Sequence, residues 1–145
     1  MGHASALRVL IVGCDAAARG ALRDRLEHDG MVVCAEASDA GDARRLAVNE
    51  KPDLCLLADS PPLDGVAAAR MISAAAPGVR VLLMGADASD SRLLAAVGAG
   101  AFGYLTDDPG SPRLTAALRD AAAGRPAFPR HLEALLISSL HDGDG

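Results

Sequence analysis

Three side chains at or just past the ends of apolar runs have reactive chemistry: Cys14, Asp59 and Asp107. A thiol beside a helix start can serve as a nucleophile or redox sensor, because the helix N-terminus favours its thiolate. The carboxylates Asp15, Asp59 and Asp107 offer the hard oxygens that hold a divalent ion, but they serve equally as helix caps and solvated surface groups. The other residues at those run ends are Gly13, Ala58 and Gly85. None of these can move a proton, ligate a metal through its side chain or attack an electrophile. No resolving cysteine is evident for Cys14. His3, His28, His131 and His141 are scattered, and no CxxC spacing suggests zinc. No metal and no cofactor are expected.

The elements that would position these residues are legible in the pattern. Apolar runs at Arg8–Val12, Val32–Ala37, Leu54–Ala58, 81–84 and 103–106 alternate with longer amphipathic stretches. Nearly continuous apolar runs suit strands buried on both faces of a parallel sheet. Asp15 can cap a helix to about His28, with Ala18, Leu22 and Leu26 inward and Arg19, Arg23 and Glu27 in water. Ser38 or Asp39 caps a second helix to about Asn49, broken by Lys51-Pro52-Asp53. A turn-rich loop, 59–65, precedes a helix over about 66–76, stopped by Pro77-Gly78. A short helix near 90–97 follows the fourth run. Ser111-Pro112 opens a helix to Ala123, with proline at the first helical position. A final helix near 130–140 carries Leu132, Leu135, Leu136 and Leu140 at helical spacing. The predicted fold is α/β: a (βα)5 doubly wound five-stranded parallel sheet of flavodoxin type, with an extra C-terminal helix. Ligands in such sheets sit at the carboxyl ends of the strands, where the residues named first stand.

Composition narrows the functions. The chain has 145 residues, enough for one domain with a real core, and is half apolar with only 2% aromatics. Its net charge of −5 and the absence of a basic run make direct nucleic-acid binding by these residues a poor fit. The odd set Cys14, Cys34 and Cys55 reads as buried free thiols in a reducing cytoplasm. No membrane span or signal peptide is visible. Neither GxGxxG nor GxxxxGK[ST] is present, so a dinucleotide fingerprint and a P-loop are both missing.

The runs also carry a family likeness. Leu7–Val12 with Arg19, Ala21 and Leu22, then Pro52-Asp53-Leu54-Cys55-Leu56-Leu57 with Pro62 and Asp64-Gly65, resemble the first and third strands of a response-regulator receiver domain and the segments after them. Arg80-Val81-Leu82-Leu83-Met84 and Ala99-Gly100-Ala101-Phe102-Gly103-Tyr104-Leu105 resemble its fourth and fifth strands. The phrasing of the last segment, and of 118–124, is similar to the NarL/FixJ (LuxR-type) branch. The likeness covers about residues 7–125, leaving a tail at 1–6 and a linker helix with a flexible tail at 126–145.

The resemblance implies a phosphorylation site that this sequence does not supply. The family's carboxylate pair after the first strand falls on Gly13 and Cys14. Its phosphoacceptor aspartate, six residues beyond Pro52, falls on Ala58. The switch Ser/Thr falls on Gly85 and the lysine on Asp107, while the switch aromatic is matched by Tyr104. The loop from Ala58 to Asp64 is one residue shorter than the family's spacing. Phosphotransfer to aspartate needs a nucleophilic carboxylate, a metal held by oxygens and a cation. Losing one electrostatic donor alone costs about two to three orders of magnitude in rate. The implied function is a pseudo-receiver of a transcriptional regulator, not an enzyme, that acts through homodimerisation. DNA would be reached only through a helix-turn-helix outside this chain, which stops at Gly145. The candidate dimer surfaces are the first and fifth helices, or the face formed by the fourth helix, fifth strand and fifth helix. Two alternatives stay open. One is a small-molecule ligand in the degenerate pocket; the other is non-standard phosphorylation at Asp59, adjacent to Ala58.

Overall fold

The computed structural model describes residues 6–106 and 110–143. Among them, five strands alternate with helices: β1 (Arg8–Val12), α1 (Ala16–His28), β2 (Val32–Ala37), α2 (Ala40–Glu50), β3 (Leu54–Ala58) and α3 (Gly65–Ala75). β4 (Arg80–Met84), α4 (Asp90–Gly98), β5 (Gly103–Leu105), α5 (Pro112–Ala122) and α6 (Leu132–Gly143) complete the order. All strand pairs are parallel, in the spatial order β2-β1-β3-β4-β5. This is the expected doubly wound five-stranded sheet with an additional C-terminal helix.

Side-chain alternation along the strands sorts the core into two layers. Val9, Ile11, Leu54, Leu56 and Leu82 meet Leu26 of α1 and Leu114 and Leu118 of α5. Leu10, Val12, Cys55, Leu57 and Leu83 meet α2, α3 and α4, largely through alanines such as Ala43, Ala47, Ala68 and Ala69. The small alanine side chains let the helices lie close to the sheet, which is how a core nearly devoid of aromatics is closed. The three inner strands, β1, β3 and β4, are therefore covered on both faces, and their C-terminal ends are held in fixed relation.

Helix ends follow local chemistry. Asp15, Asp39, Asp64, Ser89 and Ser111 each accept a backbone N–H in the first turn of the helix they precede. Asp64 starts α3 at Gly65, one residue before the position predicted. Lys51 ends α2 in the left-handed conformation (φ 49°), and the Arg8 guanidinium donates to the Glu50 and Lys51 carbonyls left open there.

Three expectations need correction. Ala18 is exposed and does not join Leu26 in the core. Arg19 and Arg23 are not on a fully wet face. Both are half-buried and pair with Glu36 of β2, at 3.1 and 2.5 Å. The periodicity of α1 gives the direction of its face but not the glutamate that the neighbouring strand extends beneath it. α6 begins at Leu132 rather than near 130, because a turn with Leu132 N–H donating to the Pro129 carbonyl precedes it.

The C-terminal segment is joined to the domain. The Tyr104 N–H donates to the Ala127 carbonyl at 3.0 Å, and the Ala127 N–H donates to the Phe102 carbonyl at 2.9 Å, so Ala127 pairs along the outer edge of β5. A Cβ at Gly103 would lie 2.5 Å from the Ala127 oxygen, so this approach depends on glycine. α6 packs on α4. Its apolar stripe is divided: Leu132 is buried, Leu135 and Leu136 are half-buried, and Leu140 is 70% exposed. Among the described residues, no helix is long and apolar enough to cross a membrane.

Candidate functional site

The carboxyl edge of the sheet is assembled from the exits of β1, β3 and β4 and from β5. Gly13 continues β1, its N–H donating to the Ala37 carbonyl at 3.0 Å. A Cβ built at Gly13 would lie 3.4 Å from the Ala58 Cβ, so these two positions face each other across the β1–β3 pair. Asp59 still belongs to the sheet, with its N–H donating to the Met84 carbonyl at 2.7 Å. Alternation therefore sends Ala58 to the α1–α5 side and Asp59 to the side of α3 and α4. Asp107 lies outside the described residues.

Asp59 is the polar centre of this edge. Its side chain is only 5% exposed, and both oxygens are engaged. Oδ1 accepts from the Gly65 N–H at 2.9 Å and from Arg92 Nη2. Oδ2 accepts from Arg92 Nε at 2.8 Å and from the Tyr104 hydroxyl at 2.7 Å. The Arg92 fork thus meets the carboxylate in two-pronged fashion, the strongest common geometry for such a pair. Arg92 Nη2 also donates to Asp64 Oδ1 at 2.9 Å, so the guanidinium joins the first turn of α4 to the N-cap of α3. Tyr104 is 1% exposed, and its hydroxyl ends beneath the β4 exit.

Electrostatics follow from that geometry. Burial pushes the Asp59 carboxyl up. Hydrogen bonds from Arg92, Tyr104 and the Gly65 N–H, with the Arg92 charge, outweigh burial and hold it below the usual carboxylate range. Burial, then the hydrogen bond to Asp59 and its charge, push the Tyr104 phenol well above its ordinary value. Asp64 is held low by the Ala67 N–H first and then by Arg92.

Two glycines frame this arrangement. A Cβ at Gly85 would lie 2.5 Å from the Tyr104 hydroxyl oxygen and 2.9 Å from the Asp59 backbone oxygen. One at Gly65 would lie 2.8 Å from the Asp59 Cβ. The absent side chain at Gly85 therefore leaves no hole, because the phenol occupies its place. Beside the ion pair lies a cavity of about 340 Å³, lined by Asp59, Pro61, Pro62, Leu63, Asp64, Asp87 and Arg92.

Other predicted residues are dispersed. Asp15 caps α1, accepting from Ala17 N–H at 2.9 Å. Among the described residues no group of three His, Cys, Asp or Glu side chains is placed to hold a metal ion. The expectation of three buried thiols needs correction: Cys14 is exposed, Cys34 half-buried and Cys55 buried. Cys14 follows the last strand residue into the open turn before α1, where nothing covers it.

Sequence reasoning missed Arg92, Gly65 and the bracing role of Asp64. A signal for Arg92 existed: it is the sole cation between Met84 and Gly98, in a stretch that also holds Asp87 and Asp90.

The model of the response regulator receiver domain family matches residues 9–119. A transcriptional regulatory protein of Bacillus subtilis, YxjL, is 33% identical over 109 residues, covering 74% of this chain and 50% of that protein. This chain thus spans about half the length of that relative. Among solved structures, a LuxR-family two-component response regulator from Aurantimonas is 29% identical, with a TM-score of 0.80, covering 93% of this chain and 98% of the other. The signal receiver domain of NarL from Mycobacterium tuberculosis is 28% identical, with a TM-score of 0.75, covering 84% of this chain and 100% of the other.

Proposed function

The chain belongs to the response regulator receiver domain family, and from that premise we propose that it is a pseudo-receiver: a regulatory domain that works by contact and not by aspartyl phosphorylation. The observation that carries this reading is the state of Asp59. It is the carboxylate adjacent to the methyl of Ala58, where the family's acceptor stands, and it faces away from Gly13 with both oxygens engaged. A nucleophilic carboxylate must reach a phosphorus atom with a free lone pair, and a metal would be needed to neutralise charge on the transferring phosphoryl group. Asp59 is 5% exposed and paired with arginine. Gly13 and Cys14 offer no hard-oxygen side chains in place of the family's acidic pair. Asp107 would add negative charge where the family places a cation.

In this reading residues 7–125 form the receiver, with a tail at 1–6 and a linker at 126–145. The domain is a cytoplasmic module that dimerises, and DNA is contacted by a helix-turn-helix outside residues 1–145. The dimer surface is α1 with α5, or the face of α4, β5 and α5. The exposed Ile137 and Leu140 of α6 support a partner near the linker. A ligand-sensing reading draws on the cavity beside Asp59 and Arg92. A ligand-dependent rise in Tm tests it, since a molecule that binds only the folded state stabilises it.

The direct experiment is incubation with a small phosphoryl donor and Mg²⁺, followed by intact-mass and peptide mass spectrometry. No adduct is expected; a stable aspartyl adduct mapped to Asp59 refutes the proposal. Sedimentation equilibrium at high micromolar concentration tests the dimer, and a strict monomer counts against it.

A further inference from the structure

We propose that the Asp59 carboxylate is a built-in clamp that holds Tyr104 inward, with Arg92 as its positioning residue and Gly85 as the space that admits the phenol. The domain then carries one switch setting in its own sequence. This inference rests on the pseudo-receiver reading only in taking Asp59 as unmodified.

Four elements converge on the clamp. Asp59 leaves β3, Arg92 stands on α4, Tyr104 on β5, and Gly85 at the exit of β4. Three observations agree. The carboxylate accepts from Tyr104, Arg92 and the Gly65 N–H, so the phenol has a charged acceptor fixed in place before it arrives. The phenol oxygen lies 2.5 Å from where a Cβ at position 85 would stand, so a side chain there would force the phenol out of the place it takes against Asp59. Gly65 brings its N–H to Asp59 at a distance that a side chain would forbid.

Arg92 is what makes the clamp transmit. Its guanidinium spans Asp59 and Asp64, so the first turn of α4 is tied to the β3–α3 loop and, through Asp59, to Tyr104. Among the described residues, the charged groups acting on the phenol are Asp59 from the β3 exit, Arg92 from α4 and Asp87 from the β4–α4 loop, and Asp64 joins them through Arg92. Without Arg92, Asp59 would face Asp64 and Asp87 uncompensated, a like-charge arrangement in a half-buried site. The phenol and the position of α4 are therefore set together.

Tyr104 is the sole tyrosine and the chain has no tryptophan, so tyrosine emission reports this one side chain. The experiment is acrylamide quenching of that emission in the wild-type chain and in D59N, R92Q and D64N, with far-UV circular dichroism confirming the fold. The wild type is expected to resist quenching. D59N and R92Q are expected to raise the quenching constant several-fold, and D64N, which retains the Asp59–Arg92 pair, to leave it at the wild-type value. If D59N does not fold, R92Q carries the test with the carboxylate intact. Natively folded D59N and R92Q with wild-type quenching would show that core packing alone holds the ring, and would overturn the clamp. An Asp59 adduct in the phosphoryl-donor experiment would sink the pseudo-receiver reading separately, since quenching of the untreated chain does not depend on it.

Discussion

Replacing Gly85 by alanine sets two opposing effects against each other, and the geometry decides between them. Gly85 is not among the described glycines with positive φ, which are Gly30, Gly100 and Gly124, so alanine meets no backbone penalty. Reduced freedom of the unfolded chain would then stabilise by about 0.4–1 kcal/mol. Against this, the new Cβ would lie 2.5 Å from the Tyr104 oxygen, 2.9 Å from the Asp59 backbone oxygen and 3.2 Å from the Asp59 Cβ. Overpacking of this kind costs about 1–3 kcal/mol. Displacing the phenol also forfeits its hydrogen bond to an ionised acceptor, about 1.5–3 kcal/mol. The net expectation is a loss of about 2–5 kcal/mol, or about 5–15 °C in Tm for a domain of this size. G85T, which brings back the family's hydroxyl, is expected to lose at least as much. Urea and thermal unfolding followed by far-UV circular dichroism measure this, and a cycle with Y104F isolates the cause. With the phenol oxygen removed, G85A should cost at least about 1 kcal/mol less than in the wild type. Costs that add to within about 0.5 kcal/mol, or a G85A chain as stable as its parent, would refute the steric reasoning.

Two other outcomes follow from the same site and its surroundings. Because Asp59 is held below the usual carboxylate range in the fold, its contribution to stability is present above that range. It is lost as pH falls through the lowered value. Tyr104 is raised, so its contribution is complete below its unfolded value of about 10 and is lost as pH climbs toward the folded one. Urea midpoints should fall at both ends of the pH range, and D59N should flatten the acid limb; an unchanged acid limb in D59N contradicts the pairing. Among the thiols, a disulfide reagent should reach exposed Cys14 first and half-buried Cys34 more slowly. Cys55, whose thiol burial pushes up to about 12, should react only on unfolding. A C14S chain that keeps the fast phase would contradict this placement.

β1, β3 and β4 are readable because their runs are largely apolar on both faces, so their positions do not depend on knowing the partners. The helix starts after Asp15, Asp39 and Ser111 are readable from the side chains that cap them. The alternation that separates Ala58 from Asp59 is likewise a local property. The clamp was not readable, because Arg92 lies 33 residues from Asp59 and nothing local says which loop carboxylate its fork will meet. In sequence Gly85 reads as a lost hydroxyl, since sequence shows which atoms are missing but not what fills their place. Arg19 and Arg23 were misplaced for the same reason: Glu36 reaches them from a neighbouring strand.

The pairing of Ala127 along β5 bears on how this sheet avoids recruiting other chains. A parallel sheet with five strands has two unpaired borders, and each is a template for adding a foreign strand. On the β5 side, the Tyr104 N–H and the Phe102 carbonyl are already taken by the chain's own Ala127. A chain ended at Arg125 would uncover those two groups beside buried apolar side chains. Ala127 thus occupies two backbone groups at the open edge of β5, and loss of the segment that carries it would leave them free to pair with a foreign strand.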